Sequence, residues 1–115
     1  MHELSIAMGI VDGVLEELRT RGAGCPSAVH LRVGRLSGVD KEALEFSYRM
    51  ASQQTALAES DLMIEDVDVF VWCVACGAER PTRAFPLLEC ACCGAMSAQV
   101  TRGMELEITG VEIVE

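Results

Sequence analysis

Aromatic residues are scarce. One Trp, one Tyr and three Phe are all that the 115-residue chain carries, so its core has to be aliphatic, built from Leu, Val, Ile, Met and Ala. Positive charge is scarce too: nine Lys and Arg stand against 18 Asp and Glu, a formal net charge of −9. That disfavours broad contact with nucleic acid or an anionic membrane, both of which need a positive footprint. It suits a protein that meets other proteins or cations. Long apolar runs are missing, and nothing approaches the ~20 consecutive apolar residues that span a bilayer. Met1-His2-Glu3 lacks the basic segment of a secretory signal, and the apolar positions that follow are interrupted by Asp12, Glu16 and Glu17. The expectation is a cytoplasmic chain, without membrane association, in a compartment that keeps thiols reduced.

Cysteine, by contrast, is plentiful. Six Cys in a reducing compartment point to metal or redox chemistry and not to a disulfide scaffold. Four of them form two matched turns, Cys73-Val-Ala-Cys76-Gly77 and, after twelve residues, Cys90-Ala-Cys-Cys93-Gly94. The C-x-x-C spacing aims two thiolates at one ion. The glycine after each pair allows positive φ and a close approach of amides to sulfur. Four sulfurs suit tetrahedral zinc with Zn–S near ~2.3 Å. With four ligands the shell is closed, no position is left for a catalytic water, and the site is structural. Cys92 competes with Cys93 for the fourth place; only Cys93 reproduces C-x-x-C-G in both halves. Iron is an alternative for four cysteines. A dithiol redox role is another, although such enzymes use one pair at the start of a helix. Cys25 reads as a free thiol in a loop.

The remaining pattern is α+β. Leu4, Ala7, Met8, Val11, Val14, Leu15 and Leu18 recur at spacings of three and four, which predicts a helix over 4–21 with that stripe inward. Gly22 to Pro26 ends it. Val29, Leu31 and Val33 alternate with His30, Arg32 and Gly34, predicting a strand over 28–36 with His30 on its outer face. Asp40 is a candidate N-cap for a second helix over 41–55. Residues 61–72 read as one extended run with a bulge at Glu65-Asp66, and 103–114 as another, broken in phase at Gly110. The predicted architecture is two helices with a three-stranded sheet, interrupted by a small zinc-ribbon-like insert. Residues 1–69 and 103–115 form the main domain, and 70–102 form a zinc-binding domain between two of its strands. The insert holds five of the six Cys and has little apolar sequence for a core of its own.

The chain start is a second candidate site. The bulk of His2 protects Met1 from removal, which leaves a free amine beside an amide nitrogen and an imidazole. Glu3 adds an amide or carboxylate donor. Nitrogen donors in a plane suit Ni(II) or Cu(II). Taken alone, a histidine at position 2 is ordinarily a solvated terminal residue, and His30 is ordinarily a surface histidine.

Met-His-Glu-Leu-Ser-Ile-Ala at the start, Arg-Val-Gly-Arg-Leu-Ser-Gly-Val at 32–39, the two C-x-x-C-G turns and Gly103-Met-Glu-Leu-Glu-Ile together resemble the hydrogenase nickel-incorporation protein family of the HypA type. The resemblance spans the chain. It departs at Ala91-Cys92, where the family's second turn usually carries proline. The resemblance implies a nickel metallochaperone and not an enzyme. It implies Ni(2+) held by Met1, His2 and Glu3 and Zn(2+) held by Cys73, Cys76, Cys90 and Cys93, in a small α+β nickel domain interrupted by a zinc domain. The implied partners are a hydrogenase-maturation GTPase and the [NiFe] hydrogenase large subunit; some members also serve urease. A homodimer stays open. The competing reading is a zinc-ribbon adaptor or nucleic-acid-binding module. Against it, Arg80, Arg83 and Arg102 in the insert are set off by Glu79 and Glu89, leaving neither a basic stripe nor a stacking platform.

Overall fold

The computed structural model describes residues 2–22, 24–84 and 87–114, with the side chain of Ala84 excepted. In chain order the elements are α1 (Glu3–Arg21), β1 (Cys25–Gly34), α2 (Lys41–Ser52), β2 (Asp61–Val67), β3 (Phe70–Cys73), β4 (Ala78–Ala84), β5 (Leu87–Cys90), β6 (Val100–Arg102) and β7 (Leu106–Val114). The protein is α+β, as the pattern predicts. A three-stranded sheet runs in the order β2-β1-β7, and a four-stranded sheet in the order β5-β4-β3-β6. The second sheet is additional to the expected architecture. Its strands are short, and β4 reads Ala-Glu-Arg-Pro-Thr-Arg-Ala, with no apolar alternation to announce it.

Two compact units are present. One comprises Met1–Arg32, Gly38–Glu65 and Glu107–Glu115; the other comprises Val33–Ser37 and Asp66–Leu106.

In the first unit α1 and α2 pack against each other. Gly22, with φ +61°, closes α1, its N–H reaching the carbonyls of Arg19 and Leu18. The buried face of α1 is Ala7, Ile10, Val11 and Val14, whereas Leu4 and Met8 are about half exposed. The expected stripe is therefore rotated, and Ile10 replaces its Leu4–Met8 edge. This helix carries apolar residues on several sides, so periodicity alone does not fix its inner face. α2 begins at Asp40, whose carboxylate accepts the Ala43 amide at 3.1 Å. It ends three residues earlier than expected. Thr55 donates its hydroxyl and its amide back to the Ser52 carbonyl, and Gln54 takes φ +63°. Leu44, Ser47, Tyr48 and Ser52 face inward. Tyr48 Oη donates to Ser60 Oγ at 2.6 Å, and Ser60 in turn donates to the Leu57 carbonyl.

On β1, Val29, Leu31 and Val33 are buried, as the alternation requires. Its outer face carries ion pairs. His30 Nε2 lies 2.5 Å from Glu112 Oε2, and Arg32 lies between Glu65 at 3.6 Å and Glu107 at 3.5 Å. The predicted continuous run 61–72 is two strands, β2 and β3, in different sheets. Cys25 is exposed at the start of β1, not in a loop.

In the second unit Gly34 and Gly103 bring two backbones into contact. A Cβ on Gly34 would stand 2.1 Å from the carbonyl carbon of Gly103. The approach lets the Gly34 amide donate to the Glu105 carbonyl at 2.8 Å and the Leu36 amide to the Gly103 carbonyl at 2.7 Å. No helix among the described residues is long and apolar enough to cross a membrane.

Candidate metal centres

Two hairpin-like turns build the cysteine cluster. The Gly77 amide donates to the Cys73 carbonyl and the Gly94 amide to the Cys90 carbonyl, both at 2.8 Å. Gly77 and Gly94 have φ of +67° and +79°, a region that L side chains rarely adopt, so each turn needs its glycine. The first pair sits at the end of β3 and the second at the end of β5. Neither pair opens a helix, as a dithiol oxidoreductase would require.

The Sγ atoms of Cys73, Cys76, Cys90 and Cys93 all lie within 4.8 Å of one another. Cys73 Sγ stands 3.5 Å from Cys93 Sγ, and Cys76 Sγ 3.9 Å from Cys90 Sγ. A tetrahedral ion with bonds of ~2.3 Å has sulfur–sulfur edges of about 3.8 Å. The four sulfurs therefore already stand near the separations such an ion imposes. Cys92 is exposed and outside this group. Cys73 and Cys90 are buried, while Cys93 lies at the surface.

The crowding of the sulfurs also bears on their protonation. Backbone amides of Cys93 and Cys92, against the cost of burial, bring the Cys90 thiol down to about 6. The Ala95 amide pulls Cys93 the same way. The sulfurs of Cys73, Cys76 and Cys90 outweigh it and push that thiol up to about 12. The largest influence on Cys76 is a downward one from the Arg80 guanidinium. The Cys93 sulfur adds to it, but the Cys73 and Cys90 sulfurs and burial overcome both, and the net direction is up. Thiolates held this close repel one another, and a cation among them removes that repulsion. These residues fit zinc, which when bound would crosslink the two turns through its four thiolates.

The second candidate site is at the chain start, where Met1 lies outside the described residues. His2 is exposed and is the N-cap of α1, with no hydrogen bond from its side chain to the helix. Its carbonyl accepts the Ile6 amide at 3.2 Å. Glu3 opens the helix, and its carboxylate accepts the Asp40 amide at 3.0 Å. That bond holds its carboxyl below the usual range. The Asp40 side chain caps α2, and its backbone holds Glu3. His30, on β1, is engaged with Glu112.

Sequence reasoning passed over Arg80, whose guanidinium hydrogen-bonds Cys76. Its one signal is position: it follows Cys76 by four residues, on the strand that leaves the first turn.

Residues 1–113 match the family described as hydrogenase/urease nickel incorporation, metallochaperone, hypA. The chain belongs to this family. Among its relatives is a hydrogenase maturation factor HypA of Chloroflexus aurantiacus, 42% identical over 112 residues, covering 97% of this chain and 98% of that protein. Another is the hydrogenase maturation factor HypA of Chlorobaculum tepidum, 37% identical over 113 residues, covering 98% and 99%. The fold is that of a HypA protein solved in solution, with a TM-score of 0.73, 21% identity, and coverage of 99% of this chain and 97% of that one. It is likewise similar to the Ni metallochaperone HypA from Helicobacter pylori, with a TM-score of 0.69, 21% identity, and coverage of 99% and 98%. Membership makes this chain one of the nickel-incorporation metallochaperones and a metal-binding protein of hydrogenase maturation.

Proposed function

We propose that this chain carries Ni(II) at its N-terminus, through Met1, His2 and Glu3, and passes it to the large subunit of a [NiFe] hydrogenase. Zinc held by Cys73, Cys76, Cys90 and Cys93 is structural. The observation that carries the reading is the family match from residue 1 to residue 113. The donor chemistry of the two sites supports it. At the chain start the His2 imidazole makes no capping bond, and the first N–H groups of a helix have no acceptor within it. Coordination through the terminal amine, the His2 amide and the His2 ring therefore breaks no helical hydrogen bond. An ion held at a chain end can also leave without disturbing the core, as a carrier needs.

On this reading 1–69 and 103–115 form the nickel domain and 70–102 the zinc domain. The protein is not an enzyme: it binds, holds and hands over its cargo in the cytoplasm. Its partners are a hydrogenase-maturation GTPase and the hydrogenase large subunit, and the family description adds urease as a second client. The acidic balance of the chain suits a partner with a basic docking face.

The test is metal analysis of the purified chain with its native terminus, before and after nickel is added, followed by a pull-down with the host's maturation GTPase. One zinc as purified, one further nickel on titration, and GTPase capture at low salt are expected. Iron in place of zinc removes the structural assignment, and nickel that displaces zinc one for one removes the second site.

A further inference from the structure

Arg80 stands where a small sheet would ordinarily place an apolar side chain. β3 and β4 pair antiparallel, with Val71 opposite Arg80 and Cys73 opposite Ala78. Directly opposed residues share a face of the sheet, so Arg80 lies on the side of Val71 and Cys73, both buried. The other side takes Phe70, Trp72, Glu79 and Pro81. There Arg102 covers the Phe70 ring at 3.9 Å and pairs with Glu79 at 2.7 Å. Thus Arg102 has a carboxylate, whereas Arg80 has sulfur: its guanidinium hydrogen-bonds Cys76. Its Nε is shielded from solvent and has no hydrogen-bond partner. A buried donor on a permanent cation is costly unless negative charge faces it. Four thiolates around a divalent ion make a net dianion, and Cys76 belongs to that set.

We propose that Arg80 is a positioning residue of the cysteine centre: it sets a fixed positive charge against the metal–thiolate unit and slows loss of the metal. The inference rests on the zinc reading above. Neighbours of a metal site that act through its ligands typically contribute 10–100-fold in metal affinity. The inward-facing guanidinium compensates the bound form.

The experiment compares the full-length wild-type chain with Arg80→Met, Arg80→Lys and Arg102→Met. Zinc transfer to an excess of a chromogenic chelator gives the release rate. The sulfur-to-metal charge-transfer band of cobalt-substituted protein gives a second readout, which loss of packing alone does not move. Arg80→Met keeps the stem and loses the charge. It should release zinc about 10- to 100-fold faster and shift the band. Arg80→Lys keeps the charge and should stay within a few fold of wild type, and Arg102→Met, on the opposite face, should match wild type. Release from Arg80→Met at the wild-type rate overturns the proposal. If Arg80→Met does not fold, Arg80→Lys decides: rapid release with an unshifted band overturns it, because charge is then not what position 80 supplies. A wild-type chain that holds no zinc sinks the zinc reading itself, whereas a zinc-loaded wild type with indifferent variants sinks only the role of Arg80.

Discussion

The carboxylate of Glu3 accepts the backbone N–H of Asp40 at 3.0 Å, joining the first residue of α1 to the N-cap of α2. The residue after His2 is thereby fastened to the unit's second helix, while the His2 side chain makes no capping bond. Under the proposed function this division is useful. An anchored Glu3 limits where the chain start can move, and an imidazole that makes no capping bond to the helix is available to the ion.

The tether depends on ionised Glu3, which gives it a pH signature. Folding lowers the Glu3 pKa from its ordinary 4.5, chiefly through the Asp40 amide. A depressed acid contributes stability that is present above its unfolded pKa and is lost as pH falls through the folded value. Glu3→Gln should therefore lower stability at neutral pH and make no difference in acid. Urea unfolding of both proteins at about pH 7 and about pH 3 measures it, and an equal gap at both would remove ionisation from the account.

Gly34 and Gly13 should respond in opposite ways to alanine. At Gly34 the new Cβ would meet the Gly103 backbone at 2.1 Å, which only a shift of main chain can relieve. A loss of about 2 kcal/mol or more is expected. At Gly13, exposed within α1, the Cβ meets nothing within 4 Å. There alanine should raise stability by roughly 0.5–1 kcal/mol. Denaturant midpoints of the two variants separate the steric cost from the conformational gain.

Much of this arrangement is legible before folding. The strand at Val29, Leu31 and Val33, the Asp40 cap and the paired glycine turns follow from local chemistry that tertiary packing did not override. The inner face of α1 was less accessible. Leu4, Met8 and Ile10 are all apolar, and tertiary packing, not periodicity, decides that Ile10 is covered while Leu4 and Met8 stay about half exposed. The four-stranded sheet was hidden because β4 carries Glu79, Arg80, Pro81 and Arg83 in place of alternating apolar residues. Arg80 appears in sequence only as one more positive charge. Its meaning comes from the register that turns it toward Cys76.

The choice between Cys92 and Cys93 can be read from metal content. Cys93 Sγ lies within the cluster and 3.5 Å from Cys73 Sγ, while Cys92 is exposed beside it. Cys92→Ser should retain one zinc per chain, whereas Cys93→Ser should lower occupancy and bring early loss of signal from Trp72 next to the first turn. Cys73→Ala should go further, because structural zinc contributes roughly 10–16 kcal/mol of apparent binding energy in small peptides. That variant should lose order over 70–102 while keeping the circular-dichroism signal of α1 and α2. Full zinc in Cys93→Ser and little in Cys92→Ser would reverse the assignment.

The nickel site makes the most exposed claim, since it asks the chain's own amine to be a ligand. Amine, amide and imidazole can close linked chelate rings around one ion, and each must be free of its proton to bind. Affinity should fall in acid, because protons compete with the ion for the same donor atoms. His2→Ala should weaken nickel binding and spare zinc, because His2 lies outside the cysteine cluster. The sharper variant changes no side chain: a short N-terminal extension that places a peptide bond on the Met1 nitrogen. Calorimetric titration with nickel should then show binding weakened by at least about tenfold, or 1.4 kcal/mol, with zinc content unchanged. Were the extended chain to bind one nickel as tightly as the native chain, the amine would not be a ligand. The ion would have to be held by side chains and internal amides alone, and His2, Glu3 and Asp40 would be the first to replace. Asp40→Asn then becomes the deciding substitution: it keeps an N-cap for α2 through its side-chain oxygen, and lowers nickel affinity only if the carboxylate itself meets the ion.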